Sequence, residues 1–377
     1  MVNKKRLIKT IKKLISIDSQ NPGGDEIRIA DFVKSYVKTL GLKVKTYAFS
    51  NKRKNVIAAL KSEKYRKSLL ITPHLDTVPA GGGWNTDPFC AKIIGSKIYG
   101  LGATDCKGNL ASSLEALNSI VEDGIKLDYN LIFAATADEE SGSGLGLIPL
   151  LEHKILRPDA AVVLDADDFK IVITQKGLVH LKVKIYGKKA HGAYPWLGIN
   201  AIDIAAKVII DLKEQHNKQL PKNKYLRGPT INVGTIKGGD KVNVVSDWCE
   251  FELDFRFLPG SSEKELLRFL REAIIKYTNN FKIEIQGIQK PYYISPHHAL
   301  VRTLVAACSS LKVKPRISGS EGATVITFFK TMGIPAIASG FGTEGCAHIA
   351  NEYTKINNLY NGTRVLVEFL KKYKFNN

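Results

Sequence analysis

Apolar positions recur with two different periods along this chain, and the switch between them divides it. Near the N-terminus Leu7, Ile8, Ile11, Leu14 and Ile15 fall on one stripe of a basic helix. Short, largely apolar runs follow at 68–72, 131–137 and 160–164, and each predicts a strand. Between the first two, Leu110, Leu114 and Leu117 mark one face of a helix over about 108–123. Strands apolar on both faces and separated by helices predict a mostly parallel sheet buried under helices.

From Val179 the period falls to two: Val179, Leu181, Val183 and Ile185 alternate with polar neighbours, as in a half-exposed strand. A helix is predicted over about 200–213, strands near 230–236 and 247–257, a second helix over 262–277 and a last strand at 281–287. In 247–257, Cys249, Phe251, Leu253 and Phe255 face one way and Glu250, Glu252 and Asp254 the other. This β-α-β-β-α-β order is that of a ferredoxin-like unit. Beyond Pro291 the first pattern returns, with helices near 300–311, 323–332 and 359–373 and a strand at 334–338. The predicted architecture is an α/β domain made of residues 1–178 and 292–377, interrupted by an inserted α+β ferredoxin-like domain at 179–291.

Composition narrows this picture. The 377 residues, 44% of them hydrophobic, suffice for a sizeable core and more than one domain. The formal charge of +19 comes from 55 Lys+Arg against 36 Asp+Glu. The excess is mostly lysine spread along the chain, without an arginine-rich arm or an aromatic RNA-binding signature. It reads as a solvated surface, and no nucleic-acid partner is expected. Lys12 and Lys13 interrupt the apolar stripe of the first helix, which argues against a secretory signal. No apolar run nears the ~20 residues of a membrane span, and no membrane partner is expected. Cys90, Cys106, Cys249, Cys308 and Cys346 are odd in number and widely spaced, without a Cys-x-x-Cys. That spacing argues for a reducing, cytoplasmic compartment and against a disulfide framework or a thiolate zinc site.

Candidate chemistry gathers where strands end. His74 and Asp76 follow the first predicted strand, Asp138, Glu139 and Glu140 the second, and Asp165 the third. In open α/β sheets, sites form in the crevice beyond the carboxyl ends of the strands. Asp105, in the glycine-rich loop 100–108, and His348, in the loop after Ala338, are within chain reach of the same edge. Taken singly, each carboxylate is an ordinary turn or helix cap. Together they repel one another, and burying them is costly unless a cation is present. Two histidines with several carboxylates suit borderline or harder divalent ions.

These residues sit in motifs that resemble a known family. The stretches are His74-Leu-Asp76-Thr-Val-Pro79, Gly100-Leu-Gly-Ala-Thr-Asp105-Cys-Lys-Gly108, Ala137-Asp-Glu139-Glu140-Ser-Gly142, and Ala347-His348 with Asn351-Glu-Tyr353. In the predicted insert they are Ala190-His191-Gly-Ala-Tyr-Pro195, Asn243-Val-Val and Asp254-Phe-Arg256. From about residue 5 to the C-terminus the chain is similar to the co-catalytic metallohydrolases that include acetylornithine deacetylase, succinyl-diaminopimelate desuccinylase, aminoacylase-1 and glutamate carboxypeptidase. The resemblance implies two divalent ions per chain, zinc first, with cobalt or manganese as alternatives. His74 and Asp165 would hold one, Glu140 and His348 the other, and Asp105 would bridge them. It implies Glu139 as general base, Asp76 as the carboxylate that orients His74, and His191 as a residue supplied across a homodimer interface. Asn243 and Arg256 would contact the substrate carboxylate. The implied reaction is hydrolysis of the amide bond of an N-acyl amino acid, by a water activated between the two ions. A dipeptidase or carboxypeptidase would use the same machinery.

Two departures stand out. Cys106 follows the bridging Asp105 where relatives commonly have Met or Asp, and it reads as a small buried residue. In Glu321-Gly-Ala-Thr-Val325, Val325 or a neighbour stands where relatives have an Asp, which bears on the substrate and leaves the metal ligands untouched. A binding protein that keeps the fold but has lost catalysis should lack ligands or the base, and here all are present.

Overall fold

The computed structural model describes residues 1–23, 25–218, 223–322 and 324–375. The chain divides into two units, Met1–Ile173 with Ile294–Ser318 and Phe328–Asn377, and Thr174–Tyr293 with Gly319–Thr327. The second contains the whole predicted insert 179–291 and extends beyond it at both ends.

In the first unit the apolar runs form the centre of one mixed sheet. Ser68–Thr72 and Ala160–Leu164 are buried at every residue, so they lie between neighbours under helices on both faces. Asn130–Ala135, Ser68–Thr72, Ala160–Leu164 and Ala336–Ser339 run side by side and parallel. The flanks are antiparallel. Lys43–Ser50 and Arg53–Leu60 form a hairpin on one side, and Lys170–Gln175 pairs with Ala336–Ser339 on the other. Sequence pattern does not single out these flanking strands; in Lys43–Ser50 and Arg53–Leu60 partly exposed residues blur the period. It also passed over the helix Ile27–Thr39, which buries Ile29, Ala30, Val33 and Val37. The predicted helix at 323–332 appears as Ile326–Thr331; Ala323 lies outside the described residues.

The first helix, Lys4–Ile15, buries Leu7, Ile11, Leu14 and Ile15 and is capped by Asn3, whose side chain accepts from the Arg6 N–H. The helix Lys107–Glu122 differs from its expected one-sided pattern. Besides its leucines it buries Ser112, Ser113, Ser119 and Glu115. Most of these polar groups have partners inside: Ser113 Oγ donates to the Leu110 carbonyl at 2.7 Å, Ser119 Oγ to Glu115 at 3.4 Å, and Glu115 takes Arg6 Nε at 2.6 Å, while Ser112 Oγ has none among the described residues. Gly108 lets the helix start against the preceding loop, since a Cβ there would meet the Ala103 carbonyl oxygen at 2.3 Å. No described helix is long and apolar enough to cross a membrane.

The second unit is built on a four-stranded antiparallel sheet, ordered Thr230–Gly238, Trp248–Phe257, Gly177–Tyr186, Phe281–Gln289. With helices Ala201–Lys218 and Glu263–Ile275 between strands, this is the ferredoxin-like connection. Trp248–Phe257 alternates strictly between half-buried and buried, with Cys249, Phe251, Leu253 and Phe255 inward as the period-two pattern predicts. They pack with Val179, Leu181, Val183 and Ile185 and with helix residues Ala205, Val208, Leu270 and Ile274 in one core. Glu263–Ile275 opens on a full capping box, Ser262 with Glu265.

Candidate metal centre

Because the central strands of the first unit are parallel, their carboxyl ends reach one edge, where His74 bridges to Thr136 and Asp167 to Gly342. That edge collects the sequence-predicted ligands. His74 Nε2 lies 2.9 Å from Asp105 Oδ1 and 3.7 Å from Asp165 Oδ1. His348 Nε2 lies 3.2 Å from Asp105 Oδ2 and 3.2 Å from Glu140 Oε1. His74, Asp105 and Asp165 therefore form one donor group, and Asp105, Glu140 and His348 another, each with its ligand atoms within 4.8 Å of one another. Asp105 belongs to both, one oxygen to each. Tetrahedral coordination with arms near 2.0–2.1 Å places donors about 3.3 Å apart, and these separations scatter around that value.

Electrostatics point the same way. Burial, with the charge of Asp105, raises the Asp165 carboxyl, and burial raises that of Glu140. Burial opposes ionisation of Asp105 too, but His348 and His74 outweigh it and lower its pKa. Asp105 and Glu140 push the His348 ring up to about 10. Burial works against a charged His74, yet Cys106, Asp105, Asp165 and Asp76 around it raise its pKa well above the usual histidine range. A divalent cation between these groups would satisfy the same donors and offset their mutual repulsion. The donor set fits two such ions.

Glu139 and Glu140 begin a single 3-10 turn, Glu139–Ser141, entered through Asp138 in the left-handed region at φ 65°. Asp76 fixes this turn: its Oδ1 accepts from the Glu139 N–H and its Oδ2 from the Glu140 N–H, both at 3.1 Å. The expected Asp76–His74 contact has a different balance. His74 Nδ1 is 3.0 Å from the Asp76 backbone carbonyl and 3.5 Å from its carboxylate. The backbone thus holds the ring, leaving Nε2 for the donor group. The Glu139 carboxylate has no hydrogen-bond partner among the described residues. Burial, and then the nearby Asp165, raises its carboxyl well above the ordinary range.

Glu352 went unassigned in the sequence although its motif was visible. It is buried, and its carboxylate accepts the N–H groups of Gly102, Thr104 and Asp105 at 2.8, 2.7 and 3.0 Å. It shapes the loop that presents Asp105. Cys106 is fully buried; it accepts from the His74 N–H at 3.3 Å and donates to the Leu164 carbonyl. The remaining cysteines are also unpaired.

His191, Asn243 and Arg256 lie in the second unit. His191 and Asn243 are brought together: Ala190–His191 pairs with Val244–Val245, and Gly192 N–H donates to the Asn243 carbonyl at 2.7 Å. His191 Nδ1 accepts from the Ala193 N–H at 3.0 Å, which leaves Nε2 outward. Arg256 is not brought to that group. It sits near the far end of Trp248–Phe257, its Nε and Nη2 engaged by Asp254 at 2.6 and 2.8 Å. Val325 is buried, and neighbouring Glu321 pairs with the buried Lys176 at 2.6 Å.

Residues 70–372 match the profile of Peptidase family M20/M25/M40. The chain is 28% identical over 383 residues to the succinyl-diaminopimelate desuccinylase of Orientia tsutsugamushi (strain Ikeda), covering 97% of this chain and 95% of that one. Among solved structures, aminopeptidase PepT from Bacillus cereus ATCC 10987 has a TM-score of 0.80 at 23% identity, with 98% of each chain covered. A tripeptidase from Staphylococcus aureus subsp. aureus Mu50 has a TM-score of 0.79 at 27% identity, again over 98% of each chain. The profile spans both strand-end donor groups and the ferredoxin-like unit, so the chain belongs to Peptidase family M20/M25/M40 and is a hydrolase.

Proposed function

We propose that this hydrolase cleaves the amide bond of an N-acyl amino acid, in the manner of a deacetylase or desuccinylase, with two divalent ions, zinc by preference. The observation that carries the reading is the sharing of Asp105 between two donor groups beside a Glu139 carboxylate that has no hydrogen-bond partner among the described residues. The desuccinylase relative supports the acyl substrate class. His74 and Asp165 would hold one ion, Glu140 and His348 the other, and Asp105 both. When bound, such a pair supplies the Lewis acidity that activates water and polarises the scissile carbonyl. Glu139 takes a proton from the attacking water and returns it to the leaving amine, one group acting as base and then acid. Asp76 holds the turn that aims it. Arg256 meets the substrate carboxylate, exchanging its Asp254 contact for a bidentate one, while Asn243, which lies with His191 and apart from Arg256, contacts substrate alongside His191. The five free cysteines fit work in a reducing cytoplasm.

A second reading, cleavage of a short peptide, is favoured by the tripeptidase neighbour. A panel of N-acetyl and N-succinyl amino acids against di- and tripeptides, with added Zn2+, Co2+ or Mn2+, decides between them. Higher kcat/KM on the acyl amino acids is expected. Preference for peptides by about tenfold or more, equivalent to 1.4 kcal/mol, would establish the second reading. A protein that binds no metal and cleaves neither class would overturn both.

We further propose that the second unit, built around 179–291, is a dimerisation domain, and that His191 acts in the partner's site, donating from Nε2 to the developing oxyanion. Thr230–Gly238 is an exposed edge strand, and Tyr194, Leu197 and Trp196, the last 73% exposed, stand on the His191 loop. His191→Ala and Glu139→Gln chains are each expected to be nearly inactive. Mixed, about a quarter of wild-type sites should return, since half of random dimers are mixed and each restores one of two sites. Confirmed subunit exchange with no recovered activity would remove His191 from the reaction.

A further inference from the structure

Behind the turn that carries Glu139 and Glu140 lies a buried polar network that the reaction as described does not use. Three carboxylates, Glu26, Asp76 and Asp138, are all but excluded from solvent. Set among them is Arg53, the first residue of the strand Arg53–Leu60, its side chain 12% exposed. One prong of its guanidinium, Nη1, donates to Glu26 Oε1. The other, Nη2, donates to Asn21 Oδ1 at 2.7 Å and lies 3.8 Å from Asp138 Oδ1.

Asn21 passes the contact on. Its Oδ1 also accepts from Ser141 Oγ at 2.8 Å, and its Nδ2 donates to Asp76 Oδ2 at 2.9 Å and Asp138 Oδ1 at 3.4 Å. Asp76 in turn holds the Glu139 and Glu140 N–H groups, while Glu26 accepts from the Asp138 N–H at 3.3 Å. Arg53 and its relay therefore reach the turn from three sides: through Glu26 to Asp138 at its entrance, through Asp76 to its middle, and through Ser141 at its end. A carboxamide that accepts on one atom and donates on the other admits one orientation, so the relay is directional. Removing the guanidinium leaves three buried carboxylates without it, the costly case of a buried ion network missing one member.

We propose that Arg53, acting through Asn21 and Asp76, is a positioning residue for the Glu139–Ser141 turn, and so sets both the base and the Glu140 half of the metal centre. The metal part of this inference rests on the two-ion reading above; the positioning part does not. His74 and Asp165 come from other strand ends, so the effect is expected to be one-sided.

The test is Arg53→Met, read in two ways. In metal-free full-length protein, amide exchange of the segment 138–142 should accelerate about tenfold or more, while the buried strand Ser68–Thr72 stays protected. In a calorimetric Zn2+ titration, one of the two ions should lose about 10–100-fold in affinity, the scale of losing an outer hydrogen-bond partner, and the other should shift by less than about threefold. Arg53→Lys keeps the charge but not the fork, and it should recover part of both effects. If Arg53→Met does not fold, Arg53→Lys carries the same comparison against wild type. Equal loss of both ions together with general loss of protection, or unchanged exchange at 138–142, would overturn the proposal. A wild-type protein that takes up no Zn2+ would refute the two-ion reading alone, because exchange in the metal-free protein still decides the role of Arg53.

Discussion

Asp105→Ala is expected to strip both ions from the protein and abolish hydrolysis, where loss of any other ligand removes one. The reason is geometric. Asp105 Oδ1 stands with His74 and Oδ2 with His348, so no donor outside it is common to the two groups. The loop should survive the change, because Glu352 grips the backbone N–H of Asp105 and not its side chain. A rate loss of at least about 10⁴-fold is expected, since two ions each supply several kcal/mol and each 1.4 kcal/mol is tenfold. Metal analysis after dialysis, beside Asp165→Ala and His348→Ala as one-ion controls, checks this. A variant that keeps two ions would show that Asp105 is not shared, and the two-ion reading would fall with it.

Glu139→Gln should do the opposite to the metals and nearly the same to the rate. The amide keeps the size and most contacts of the side chain but cannot accept a proton. Its backbone N–H remains tied to Asp76, so Glu140 stays in place. The expected result is an unchanged metal count, a KM within a few-fold of wild type, and a kcat lower by about 10²–10⁴, the range for losing a general acid–base. Loss of one ion in this variant would make Glu139 a ligand. Retention of most activity would move the base elsewhere.

Much of this was legible in the sequence, for stated reasons. Short runs apolar on both faces, separated by helices, fit central strands, and the structure puts them there. A strict alternation can only be a one-sided sheet, and Trp248–Phe257 keeps it residue by residue. Charged residues at the ends of neighbouring parallel strands reach one edge, which accounts for His74, Glu140 and Asp165; Asp105 and His348 reach the same donor groups from loops. What the sequence hid was mostly polar and contributed by segments with blurred periods. The apolar pattern of the helix Lys107–Glu122 predicts one buried face, yet most of its residues are buried, with Ser113, Ser119 and Glu115 finding partners inside. No period reveals a hydrogen bond.

The same limit separates what the chain by itself determined from what only tertiary structure decided. Sequence determined which residues could bind metal, where the fold changes character, and the fold class, because burial periods and ligand chemistry are local properties of residue type. Tertiary structure decided how Asp105 divides its oxygens, that His74 leans on the backbone of Asp76, that Arg256 is held by Asp254, and that Glu26, Arg53 and Asn21 meet behind the Glu139–Ser141 turn. Some of these contacts join residues far apart in the chain and others join residues two apart, but the energies of all depend on distance, orientation and exclusion of water, none of which is encoded in spacing along one strand.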